Sequence, residues 1–168
     1  MTSQLLLVAT CVYIVAIVAT VYFTRATLCR LVGALAGGGA VAVVGVGVEL
    51  LCQSLGFWRY PSTDSPYGPP LMYPLLVLVF AILALIGWRV TRRFGWRGQA
   101  VFLAVVTVVG TMRDYLVAAQ APGVIVFAPA LMTVLVDAAC WGGLTALAEA
   151  VMRLVAGPAR GDRLARRP

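Results

Sequence analysis

Residues 33–53 read GALAGGGAVAVVGVGVELLCQ, and this stretch decides the fold. In water it would make a poor helix, since each glycine costs ~1 kcal/mol against alanine in a helix interior. A bilayer changes that balance. Every backbone polar group must there be satisfied within the segment or by a neighbour, and small residues let helix backbones approach closely. Gly33 and Gly37 form a small-xxx-small pair, while Gly38, Ala42, Gly45, Glu49 and Cys52 follow one another at i+3/i+4 spacing on one face. The glycine-lined face therefore also carries Glu49 and directs it toward protein or a cavity, away from lipid. The stretch predicts a membrane helix over residues 31–54.

The rest of the chain agrees. Its 168 residues are 62% hydrophobic and only 11% charged, with a mean hydropathy of +0.97, whereas a soluble domain carries roughly a quarter charged residues. Apolar runs of about 20 residues recur, each long enough for a hydrocarbon core of ~30 Å, and no period-2 alternation suggests a membrane β-barrel. The expected fold is all-α, a polytopic transmembrane bundle of about five spans. These cover residues 4–24, 31–54, 70–88, 99–119 and, within a longer apolar run, a last span starting at either Gly123 or Pro129 and ending near Val151. If Pro129 begins that span, residues 121–128 become an interfacial or re-entrant connection. The transmembrane domain then occupies residues 1–156, and residues 157–168 form a basic, disordered tail.

Charge placement sets the expected topology. All 13 basic residues are arginine, and most sit at the ends of apolar runs. An outside N-terminus and inside C-terminus put Arg25, Arg30, Arg89, Arg92, Arg93, Arg97 and the tail arginines in the cytoplasm, leaving Arg59 and Arg113 on the outer side. Splitting the last span would place the basic tail outside and is disfavoured. The first apolar run lacks a preceding basic residue, so it reads as a retained helix and not as a cleaved signal. The expected location is the cell membrane, multi-pass, with anionic lipid at the inner face.

Absences narrow the chemistry. The chain has no histidine and no lysine, which excludes a His-ligated metal or haem and a lysine Schiff base. Cys11, Cys29, Cys52 and Cys140 are scattered without a CxxC, so no metal site is expected and no cofactor is implied. The net charge of +7 belongs to the topology signal. No surface combining basic and stacking aromatic residues points to nucleic acid.

Ionisable residues within a membrane are costly and mark functional sites. Three candidates stand out as catalytic acids: Glu49, Asp114 and Asp137. At 1.5 Å per residue, Glu49 lies ~27 Å above the start of its span and Asp114 ~22 Å above the start of its own, both in the outer half. With a start at Pro129, Asp137 lies ~12 Å below the outer surface. The three carboxyls can therefore converge. Arg113 and Asp114 are adjacent, and adjacent helical residues point ~100° apart, so that pair is not an automatic salt bridge. Arg113 is free to snorkel outward or to pair with Glu49 or Asp137. Glu149 reads as an inner-surface residue.

The outer loop GFWRYPSTDSPYGPPLMYP, residues 56–74, follows Glu49 directly. Its Trp58, Tyr60, Tyr67 and Tyr73, with Arg113, are the candidate substrate-binding residues. They either form an aromatic belt or cap a pocket, contacting an apolar substrate or holding a cation over their rings. A buried carboxyl that holds its proton is a general acid, the one enzymatic route these residue types leave open.

On Glu49, the following LGFWRY and YGPP, and the later Asp114 and Asp137, the chain resembles small integral-membrane terpene and carotenoid-modifying cyclases. That resemblance implies acid/base cyclisation or isomerisation of an apolar prenyl or other lipid substrate. Glu49 would be the acid on an early helix, and Asp114 or Asp137 the second. Many such cyclases have more spans, so the resemblance also implies a homo-oligomer or a membrane partner subunit. Two other classes remain open: a non-enzymatic subunit or assembly factor of a larger membrane complex, and a small transporter.

Overall fold

The computed structural model describes residues 3–61, 70, 72–121 and 123–159, with side chains from Val8 onward. The elements in chain order are α1 (Ser3–Thr24), α2 (Leu28–Ser54), β1 (Trp58–Arg59), α3 (Met72–Gln120), β2 (Val126–Phe127) and α4 (Leu131–Ala156). The fold is all-α apart from the two-residue strands. Three helices, α2, α3 and α4, are long and apolar enough to cross a membrane; the apolar part of α1, Val8–Thr24, is shorter. By length and hydropathy the chain is a multi-pass helical membrane protein.

The expected five separate spans are corrected to four helices among the described residues, three of them candidate spans. The arginine-rich segment read as an inside loop is helical on both sides of Gly95, so the third and fourth expected spans are one element. Gly95 alone leaves helical geometry, at φ 66° and ψ −157°, a region open to residues without a Cβ. A straight helix of this length would run ~74 Å, yet α3 doubles back. A Cβ at Gly87 would lie 2.9 Å from the Phe102 ring, Thr91 donates to Gln99, and Phe80 and Gly110 both lie against Trp141. The two arms, residues 72–94 and 96–120, are therefore antiparallel.

The other helix ends follow local chemistry. After α1 the chain reverses through Arg25 at φ 53°. Arg25 N–H bonds to Tyr22 O and Ala26 N–H to Val21 O, a Schellman arrangement that normally favours glycine at the left-handed position. Thr27 caps α2 by accepting from the Arg30 N–H at 3.4 Å. Of the two expected starts, Gly123 and Pro129, the last span begins near the second, at Leu131, and residues 126–127 before it are extended. β2 pairs antiparallel with β1, Trp58 opposite Phe127 and Arg59 opposite Val126. Because of this pairing, the connection before α4 is clamped to the loop after α2.

The glycines of α2 do what their spacing predicted. A Cβ on Gly37 would lie 2.3 Å from Ala148 O in α4, and one on Gly38 would lie 2.2 Å from Val77 O in α3. Gly33 faces Met152 and Ala156 of α4. Thus α2, α3 and α4 pack on one another in a three-way core, while α1 packs on α3. Ala34, Val41, Ala81, Ala84, Leu85 and Ala148 are fully buried at these contacts.

At the arginine-rich end, Arg30 is 1% exposed. Its guanidinium donates to Gly157 O at 2.6 Å and Pro158 O at 2.8 Å, and it lies 5.2 Å from the centre of the Trp88 ring. It caps the C-terminal end of α4, where helix carbonyls lack intrahelical donors and carry partial negative charge. Most of the basic tail, residues 160–168, lies outside the described residues.

Candidate active site: an acidic cavity at the end of α2

The last two turns of α2, the far part of the second α3 arm and the first turns of α4 enclose a cavity of ≈ 390 Å³. Glu49, Asp114 and Asp137 all line it, one from each helix. Trp58, Tyr60 and Arg113 line it as well. The apolar walls are formed chiefly by Leu75, Leu76, Val79, Phe80, Val117 and Leu144. The close approach at Gly37 brings the helix of Asp137 against that of Glu49, and the α3 arm that carries Asp114 meets α4 where Gly110 lies against Trp141.

Each acid has a different environment. Glu49 accepts from Trp58 Nε1 at 2.8 Å through Oε2 and from the Tyr60 hydroxyl at 2.9 Å through Oε1. The β1–β2 pair fixes Trp58, whose ring packs edge-on against Phe127 with centroids 5.9 Å apart. Tyr60 is buried. Burial, first, and then the neighbouring Glu49 carboxylate push its phenol far above the ordinary range, so it remains a donor.

Asp114 accepts from Trp141 Nε1 at 2.8 Å and from Arg113 Nη1 at 2.9 Å. The adjacent Arg113–Asp114 pair therefore does form. The long arginine side chain turns back across the Trp141 ring, 5.9 Å from its centroid, which overcomes the ~100° separation of neighbouring helical residues. Asp137 is 6% exposed, and its Oδ2 has no hydrogen-bond partner among the described residues. Buried polar atoms are nearly always satisfied, so an orphaned, fully buried carboxyl oxygen beside a cavity calls for an explanation.

The other expected binding residues divide. Tyr73 is half-buried at the start of α3 and does not line the cavity. Tyr67 lies outside the described residues. Trp58 and Tyr60 are not a loose interfacial belt, because both are buried and both hold Glu49.

Sequence reading missed Trp141, which bonds Asp114 and stacks on Phe80 with ring centres 5.6 Å apart. The signal was present: Thr133, Asp137, Trp141, Thr145 and Glu149 recur every four residues along one stripe of α4. It also missed Cys140 and Tyr13, both of which line the cavity.

Glu149 belongs to a second cluster and not to the inner surface alone. It is 3% exposed and accepts from Gln99 and, at 3.1 Å, from Arg153. Gln99 in turn accepts from Thr91 and Arg153. This knot ties α4 to the turn of the α3 hairpin, away from the cavity. Among the described residues no group of three potential metal ligands occurs. Comparison with protein-family models, curated proteins and solved structures gave no match.

Proposed function

We propose that the chain is an intramembrane acid/base enzyme of cyclase or isomerase type, acting on an isoprenoid or other lipid olefin. The observation that carries this reading is the meeting of Glu49, Asp114 and Asp137 in one apolar-walled cavity, with Asp137 Oδ2 unpartnered among the described residues. The isoprenoid class comes from the sequence resemblance; the reaction type comes from the side chains.

Asp137, in its protonated form, is the acid in this reading, because it lines the cavity and its Oδ2 lacks, among the described residues, the side-chain donors that hold Glu49 and Asp114 in hydrogen bonds. Its O–H delivers a proton to one olefin carbon, and the π electron pair forms the new C–H bond. The resulting cation is either attacked by a second olefin, which closes a ring and moves the positive charge to a new carbon, or stays where it formed. In both cases a neighbouring C–H proton leaves to a carboxylate, so the product is an isomer of the substrate. Each Glu49 oxygen accepts one hydrogen bond and retains a second acceptor position, which makes Glu49 the base. Asp114, held by Trp141 and Arg113, keeps a fixed negative charge at the wall.

The orientation fits this role. Arg30, Arg92, Arg93, Arg97 and Arg153 gather at the end opposite the cavity, and the positive-inside rule supports reading that end as cytoplasmic. On that orientation the acids lie toward the outer half of the bilayer.

The test is product formation from isoprenoid olefins by purified protein in lipid. Asp137→Asn and Glu49→Gln should each lower turnover by about 10²–10⁴-fold, with the detergent-extracted fold intact. Equal loss of folded protein in both variants would instead mark a structural network. That outcome would favour a non-enzymatic subunit of a larger membrane complex, a reading supported by the internal donors that already occupy Glu49 and Asp114. Such a subunit should co-purify with its partner at fixed stoichiometry.

A further inference from the structure

A second, smaller cavity of ≈ 130 Å³ adjoins the acidic one. The two share Tyr13, Val79, Arg113 and Trp141 in their walls, so only these side chains stand between them. The smaller space lies between the arms of α3, with Leu83 from the first arm and Val106, Val109 and Gly110 from the second. Among the described residues no carboxyl lines it. The one charged residue in its wall, Arg113, stands at the junction, where it is ion-paired with Asp114.

The position of this groove relative to lipid is equally specific. Val109 is 59% exposed and forms its outward lip, beside the exposed Val105 and Met112 of the same helix. Tyr13 of α1 covers it, and α1 packs on α3 outside the tight α2–α3–α4 core. The structure thus holds an apolar-walled, carboxyl-bearing chamber beside a largely apolar groove whose lip, Val109, is exposed on the helix surface.

We propose that this groove holds the hydrocarbon tail of the substrate, which enters sideways from the bilayer between α1 and the second arm of α3. The substrate class is an amphiphile or long olefin whose reacting end lies among the carboxyls and whose tail is gripped by Leu83, Val106 and Val109. The assignment rests on the proposed catalytic reading of the acidic cavity. It adds what that reading lacks: a direction of entry and a determinant of chain length. Gly110 is the size-limiting residue, because any Cβ there would lie 2.2 Å from the Trp141 ring and would narrow the junction.

The experiment uses a long-chain isoprenoid alcohol with a diazirine at its tail end, bound to the purified protein in lipid nanodiscs and photolysed. Labelling is expected at Leu83 and Val109 and should be competed by excess unlabelled alcohol. Leu83→Trp and Val109→Trp fill the groove separately, and each should weaken the competed labelling about tenfold, the loss of roughly two buried methylenes. Val108→Trp, on the exposed face outside the groove, should leave it unchanged. Labelling that resists competition, spreads evenly over the exposed faces or survives both groove variants overturns the assignment. Competed groove labelling without any turnover would sink the acid chemistry and leave the groove standing. Turnover with labelling insensitive to both variants would do the reverse.

Discussion

Trp141 and Asp114 are joined across two helices by a 2.8 Å hydrogen bond from the indole Nε1 to the carboxylate Oδ2. The same indole stacks on Phe80 and lies beneath Arg113. One side chain therefore links α4 to both arms of the α3 hairpin.

Trp141→Phe preserves the stack on Phe80 and removes only the indole donor. Leaving the buried carboxylate one donor short should lower stability by about 1–3 kcal/mol. Thermal unfolding in detergent checks this, and a cycle with Asp114→Asn isolates the pair. Additive effects in that cycle would show that the bond carries no coupling.

The glycines of α2 make opposite predictions within three consecutive residues. Gly37→Ala and Gly38→Ala would drive a methyl into Ala148 O and Val77 O, and each should destabilise by about 1–3 kcal/mol or more. A Cβ on Gly39 would meet nothing within 4 Å, so Gly39→Ala should be neutral or stabilising by up to ~1 kcal/mol. Comparing the three melting temperatures tests whether packing, and not helix propensity, sets the outcome.

Arg25 holds a left-handed conformation at the α1–α2 turn. Arg25→Gly should stabilise the turn by about 1 kcal/mol, since the Cβ clash disappears. An unchanged or lower unfolding temperature would show that the arginine side chain supplies a compensating interaction.

Arg30 donates two hydrogen bonds to the carbonyls that end α4. Arg30→Met keeps much of the side-chain volume over Trp88 but leaves Gly157 O and Pro158 O without those donors. A loss of about 1–3 kcal/mol is expected for leaving buried carbonyl acceptors without their donors. Limited proteolysis after Ala156 should accelerate, while residues of the acidic cavity stay protected.

Several features were legible in the order of residues alone. Long apolar runs, arginines at their ends and glycines at i+4 spacing depend on local periodicity and on the solvent the segment requires, both of which a sequence displays directly. Glu49 could be placed on the packed face of α2 because it follows the glycines at helical spacing. The heights of Asp114 and Asp137 followed from residue rise, and the structure brings both acids to the cavity that Glu49 lines.

Other features were settled only by tertiary contacts. Continuous helix up to and after Gly95 depends on how the two arms pack, so the expected loop became the turn of a single doubled element. Pairing of Arg113 with its neighbour required the Trp141 ring beneath it, and that ring comes from another helix. Burial of Trp58 and Tyr60 around Glu49 required the β1–β2 clamp, formed by residues 58–59 and 126–127 far apart in the chain. Periodicity can say which face of a helix is packed. Which donor reaches which carboxyl depends on contacts between segments remote in sequence, and the structure alone brings those segments together.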